Sequence, residues 1–301
     1  MLRHKWKTSL VTLVGSAVFL AGLTAFLYPA IAGFASERAQ TRAIAAFDQA
    51  AAAMQAGDKA EALRKAEVYN RGLLQHQSAL KDPFGTSVAA PGASASAEAT
   101  QVVSFAQTGT MLGSVEIPRI GIKAPIYEGT SEEVLQKGVG WLAGTSLPVG
   151  GESTNTVLCA HTGLPTARLF TDLGKLEAGD IFFIRNLHET LAYRVYDTRI
   201  VEPEDTELLE VTAGRDRATL LTCYPYMINS QRLLVLGQRT SLPAAQAGTR
   251  GARGKPVLRL SAATKDLLCA ALIVLGLLIV FGLVIWVPRR RKSRKQTGGA
   301  P

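Results

Sequence analysis

Ala218-Thr219-Leu220-Leu221-Thr222-Cys223-Tyr224-Pro225 is an apolar run rich in Thr and Leu that ends at a proline. Such a run reads as a β-strand, and the proline stops it because proline has no N–H for the ladder. Cys223 sits at the strand end beside a loop, where a side chain can meet both solvent and a substrate. A cysteine used as a nucleophile needs its thiolate, and an unaided thiol supplies little of it near neutral pH. It therefore needs a base or cation nearby, and acyl transfer also needs a donor for the developing oxyanion. The alternative for a lone cysteine is a small buried hydrophobe.

Outward from this strand, short β-type runs separated by Gly and Pro fill the chain from Leu112 onward. They are Gly113–Ile117, Ile122–Tyr127, Thr156–His161, Ile181–Arg185, Leu191–Val201 and Arg232–Arg239, with a weaker one near Val139–Leu142. With 218–223 they make about eight, which suits a closed all-β barrel or sandwich. Upstream, 37–80 reads as helical. Its Ala-rich stretch, with Ile44 and Phe47, breaks at Gly57, and Asp58 with Glu61 has the spacing of a capping box that opens a second helix. Asp82-Pro83-Phe84-Gly85 is a turn-forming cluster that ends the helix, and 86–100 is low-complexity Ala, Ser and Gly, read as a flexible loop. Residues 241–266 read as a linker, Gly/Ala/Pro-rich over 241–256.

The 301-residue chain is 47% hydrophobic, and the excess lies in two blocks, Thr8–Ser36 and Leu267–Val287. Each exceeds the run of about 20 apolar residues that crosses a bilayer core. The formal charge of +9 is also localised: nine of the 33 basic residues lie in the two tails, so the rest carries 24 basic against 24 acidic residues. This basicity marks membrane topology and does not call for a nucleic-acid partner. The chain is expected to place 37–266 outside the cell and both tails in the cytoplasm. A cleavable signal peptide ending near Ala30-Ile31-Ala32 is the alternative for the first block, and it exports the same middle domain. The segments are 1–7 basic tail, 8–35 anchor or signal peptide, 36–110 helical hairpin, lid and loop, 111–240 catalytic barrel, 241–266 linker, 267–287 transmembrane helix and 288–301 basic tail.

Of three cysteines, Cys269 lies in the second apolar block, leaving Cys159 and Cys223 outside it. They either pair as a disulfide or stand as one buried and one reactive thiol. Among histidines, His161 lies where a strand meets the loop Thr162-Gly163. His188 falls in the turn Asn186–Glu189, read as a solvated hairpin tip, and His76 in helical sequence. Arg232 begins the last apolar run nine residues after Cys223, the separation of two antiparallel neighbours joined by a loop. No histidine has the close partners of a zinc site, and no metal-ligand cluster or phosphate loop is present in the sequence.

Thr219-Leu220-Leu221-Thr222-Cys223 resembles the TLxTC signature of the sortase family, with His161 and Arg232 at the matching distances on either side. Gly144–Pro148, Gly163-Leu164-Pro165 with Leu169-Phe170, Gly179-Asp180 and Glu202-Pro203 resemble its class C, pilin-polymerising branch. So does Asp82-Pro83-Phe84, which is similar to that branch's active-site lid. The resemblance covers about residues 37–240, and Cys159, where small polar residues are usual, departs from it.

The resemblance implies a mainly β fold: a closed eight-stranded barrel with an N-terminal helical hairpin and two flanking transmembrane segments. It implies a cysteine transpeptidase in which Cys223 attacks the Thr–Gly bond of an LPxTG-like sorting signal. Arg232 then holds the oxyanion or the substrate, and His161 protonates the leaving amine. A pilin lysine resolves the thioester, and no cofactor or metal is required. The implied partners are pilin subunits and the lipid bilayer. In the lid, Asp82 would pair with Arg232 and Phe84 would cover Cys223. If that ion pair is partly exposed it is worth about 0.2–1 kcal/mol, so Phe84 is expected to dominate the latch. The competing readings are a housekeeping sortase acting on peptidoglycan precursor, a cysteine protease releasing product to water, and a non-enzymatic adhesion module with a Cys159–Cys223 disulfide.

Overall fold

The computed structural model describes residues 2–75, 80–85, 110–242, 269, 271–274 and 276. They fall into two units, Met1–Ala35 with Leu258–Pro301, and Ser36–Val257. Helix α1, Leu2–Ala53, carries from Val14 onward a stretch long and apolar enough to cross a membrane, with a mean hydropathy of 1.8 and 0% of that window buried in protein. Of the second apolar block, Cys269, 271–274 and Gly276 are described, and they are helical. His76, the segment 86–100 and residues 243–266 lie outside the described residues.

Helix α2 is Ala56–Gln75. The break between the helices therefore falls at Met54-Gln55, two residues before the position expected at Gly57. Lys59 N donates to the Gln55 carbonyl at 3.2 Å, so Asp58 is a first-turn residue and not a cap. A carboxylate one turn inside a helix is favoured by the positive end of the helix dipole, and this explains why the sequence pattern mimicked a cap.

The remainder is a closed barrel of eight strands: β1 (Met111–Ile117), β2 (Ile122–Glu128), β3 (Val139–Trp141), β4 (Thr154–Cys159), β5 (Ile181–Arg185), β6 (Thr190–Val201), β7 (Asp216–Tyr224) and β8 (Gln231–Thr240). Around the barrel the order is β1-β2-β3-β4-β7-β8-β6-β5. Pairing is antiparallel except for β2 with β3 and β4 with β7, which run parallel. A short helix α3, Glu132–Lys137, joins the parallel pair β2 and β3. The sequence reading did not anticipate it, although Ser131 followed by two glutamates and Val134-Leu135 is a helix-start pattern.

Side chains alternate across the β4–β7–β8 patch with the strand period of two. Leu158, Ala218, Leu220, Leu233 and Val235 point into the barrel core with Trp141, Phe182 and Tyr193. Val157, Cys159, Leu221, Leu234 and Leu236 belong to a second, outer cluster with Leu135, Leu142 and Leu209. The central run 218–223 is apolar throughout because both of its faces are covered. Helix α2 docks through Ala66 and Tyr69, whose ring meets Trp141 edge-on at 6.2 Å. Its Asn70 amide spans both backbone groups of Leu147, accepting from N at 2.7 Å and donating to O at 3.2 Å. His188 stands exposed in the β5–β6 turn, where its Nε2 lies 2.8 Å from the Lys59 carbonyl of α2.

Candidate active site

The β7–β8 ladder sets Cys223 directly opposite Arg232, one residue before each strand meets the connecting loop. By the same alternation, both lie on the outer face, in line with Leu221 and Leu234. Cys223 is 9% exposed. Burial pushes its thiol above the ordinary range; Arg232 opposes this and Asp82 adds to it. His161 arrives from β4, two residues past the strand end, and its backbone carbonyl accepts from Phe170 N at 3.2 Å. In the following turn, Gly163 has φ +75°, and a Cβ there would stand 2.9 Å from the Tyr226 ring of the β7–β8 loop. Glycine suits the position through its positive φ, and without a Cβ it leaves room for the Tyr226 ring against the loop that carries His161.

The segment 80–85 closes over these residues. Asp82 binds Arg232 through both carboxylate oxygens, from Nε at 2.7 Å and Nη2 at 2.6 Å. Nη1 donates to the Asn229 and Gln231 carbonyls at 2.9 and 2.8 Å. Four of the five guanidinium donors are therefore engaged. Phe84 fits between the site's cation and imidazole: its ring centroid is 5.5 Å from Arg232 Cζ and 5.7 Å from the His161 ring. It also packs on the outer apolar cluster. The Asp82–Arg232 pair, expected to be partly exposed, is two-pronged and part-buried: the side chains are 13% and 8% exposed, and Arg232 is the buried partner. With this segment in place, two of the Arg232 nitrogens are taken by Asp82 and the Phe84 ring lies against the His161 imidazole.

A Sortase domain model matches residues 115–240, which contain His161, Cys223 and Arg232. Sortase D of Bacillus subtilis is 32% identical over 138 residues, covering 45% of this chain and 67% of that protein. The Streptococcus pneumoniae sortase C crystal structure is 44% identical with a TM-score of 0.59, over 66% of this chain and 96% of that one. A pilus-related sortase C of Group B Streptococcus is 40% identical with a TM-score of 0.59, over 65% and 96%. This chain belongs to the sortase family.

As a sortase it is a cysteine transpeptidase, and its structural neighbours are class C members. The disulfide alternative fails, since Cys159 and Cys223 are both free thiols. Cys159 lies two residues before His161 and is fully buried. Burial, then the charge of Asp82 and of Cys223, pushes its thiol well above the ordinary range. A buried, protonated thiol of this kind is inert, whereas Cys223 has a guanidinium opposite it.

Sequence reasoning passed over Glu132. It opens α3, where Ser131 Oγ caps the helix by accepting from Val134 N at 3.4 Å. Its Oε2 lies 3.1 Å from His161 Nε2, and its Oε1 accepts from Gln136 Nε2 at 2.9 Å. The Gln136 bond holds the Glu132 carboxyl below its usual range against the opposing effect of burial, with a smaller downward pull from His161. No motif marks Glu132 in the sequence, because the contact spans 29 residues and depends on where α3 lies.

Proposed function

We propose that this sortase polymerises pilin subunits, with Cys223 as nucleophile, His161 as general acid, Arg232 as oxyanion donor and Asp82 with Phe84 as a resting lid. The observation that carries the reading is the convergence of a thiol, a guanidinium and an imidazole under a segment that occupies both the cation and the space beside the imidazole.

The chemistry follows from what each group can do. Cys223 thiolate adds to the Thr carbonyl of an LPxTG-like signal, forming an S–C bond and an oxyanion. Arg232, released by Asp82, offers the Nε–H and Nη2–H donors that the carboxylate had held. The C–N bond to Gly breaks as the His161 imidazolium gives its proton to the departing amine. The product is a thioester on Cys223 and a neutral imidazole, which then takes a proton from an incoming lysine ammonium. The resulting amine attacks the thioester, the C–S bond breaks to return the Cys223 thiolate, and the nitrogen's remaining extra proton passes to solvent as the isopeptide bond forms. The departed glycine amine takes up a solvent proton, and His161 is again an imidazolium. One amide is exchanged for another, so neither a cofactor nor an external energy source enters the balance. The basic tails around the two apolar blocks support an anchored enzyme with residues 37–266 outside the membrane and both termini in the cytoplasm.

The test is mass spectrometry of the covalent product formed from the full chain and candidate pilins bearing such signals. A Thr–Lys isopeptide between subunits is expected, and none with Cys223→Ala. Product joined only to peptidoglycan precursor, or only hydrolysed at Thr, refutes pilin polymerisation.

A further inference from the structure

We infer that Glu132 is a positioning residue for the acid step: it binds His161 Nε2–H and so makes Nδ1 the nitrogen that gives the proton to the leaving amine. This deepens the function proposed above and rests on the acid role of His161. A carboxylate is an acceptor only, so the 3.1 Å contact requires the hydrogen to be on Nε2. In the neutral ring Nδ1 then carries the lone pair, and in the imidazolium it carries the second proton. The proton that moves in catalysis is the Nδ1 proton, while the Nε2 proton stays with Glu132.

Three features suit Glu132 to this task. Its other oxygen accepts from Gln136 one turn on, so each carboxylate oxygen has a partner and Oε2 is left facing His161. Its helix is anchored by Leu135, which is buried in the outer apolar cluster, and Ser131 caps the helix start. Neither the Gln136 bond nor the Ser131 cap involves the 80–85 segment, although Leu80 and Phe84 pack on the apolar cluster that holds Leu135. Among the described residues, the other charged and titratable groups around the site are Asp82 from that segment, the Cys223–Arg232 pair from β7 and β8, the buried Cys159 of β4, and Glu204, whose charge acts on Arg232. Among the described residues, Glu132 is the one carboxylate within ion-pair range of His161. When the segment lifts, Asp82 leaves with it. Glu132 remains as the counter-charge of the imidazolium.

The experiment compares two substrates in the full-length enzyme: an LPxTG-type peptide with the normal Thr–Gly amide, and its analogue with the glycine nitrogen replaced by oxygen. An alkoxide leaving group depends far less on protonation than an amide nitrogen. Glu132→Gln is nearly isosteric, keeps an acceptor and removes the charge. Because the carboxylate is 65% exposed, the expected loss in the single-turnover acylation rate on the amide is about two- to fivefold. The acylation rate on the ester, which precedes any use of His161 by the incoming amine, should stay unchanged. His161→Ala should show a much larger loss that is also selective for the amide. Equal effects of Glu132→Gln on both substrates, or none on either, with an amide-selective His161→Ala, overturn this inference alone. If His161→Ala is not amide-selective either, the acid role fails and the inference falls with it.

Discussion

Substitution of Asp82 by alanine should open the site more than substitution of Phe84, and the burial of the ion pair is the reason. Asp82 and Arg232 are 13% and 8% exposed and joined by two short bonds. Removing one partner of a buried pair leaves the other charge uncompensated and typically costs about 3–5 kcal/mol. On opening, the Arg232 guanidinium regains water, so nearly all of that cost falls on the closed state. At about 1.36 kcal/mol per decade, the lower figure raises the open population on the order of a hundredfold. Phe84 is partly buried. Full burial of such a ring contributes roughly 1.5–3 kcal/mol, so Phe84→Ala should lose about 1–2 kcal/mol of it, a five- to thirtyfold effect. The assay is the rate at which Cys223 reacts with a small neutral thiol reagent, read by mass spectrometry on the Cys223 peptide so that Cys159 and Cys269 do not contribute. Asp82→Ala should be fastest, Phe84→Ala intermediate and the parent slowest. The pH dependence should move as well. Burial and then the Asp82 charge hold the thiol up, against Arg232. Asp82→Ala removes the carboxylate and much of the burial but leaves the guanidinium. Its thiolate should therefore form at lower pH than in the parent, with the midpoint of the rate–pH curve displaced downward. A Phe84→Ala rate equal to or above that of Asp82→Ala refutes the ion pair as the main latch. Equal rates in all three proteins refute the covering role of the segment.

Two further outcomes are expected. Cys159→Ala should retain most transpeptidation, because its thiol is buried and held protonated; loss of turnover in a folded Cys159→Ala protein, by circular dichroism and activity together, contradicts Cys223 as the only nucleophile. In chains that also carry Asp82→Ala, Arg232→Lys should lower single-turnover acylation by about 10²–10³, the effect of losing an oxyanion donor, since lysine keeps the charge but not the planar fork. Near-parent acylation in that variant assigns Arg232 a purely electrostatic role.

The strand set, its number and the placement of Cys223 beside Arg232 were legible in the sequence. Period-two alternation, Gly and Pro punctuation and the nine-residue separation are all local signals. The likeness of three residues to a known lid also foreshadowed the Asp82–Arg232 contact, whereas Phe84, expected over Cys223, packs against Arg232 and His161. Local signals also misled: Gly57 and Asp58 look like a helix start because a first-turn aspartate has the same electrostatic preference as a cap. Burial and long-range contact could be decided only in three dimensions. Whether Asp82–Arg232 is a weak surface pair or a buried latch depends on Phe84 and the outer apolar cluster covering it, 150 residues apart in the chain. The pairing of Glu132 with His161 likewise exists because α3 connects two parallel strands and so brings its first residue to the end of β4. The sequence alone determined which groups can do chemistry, since composition and periodicity are written along the chain. Only the tertiary structure decided which of those groups are desolvated together, because dielectric and distance are properties of the packed barrel.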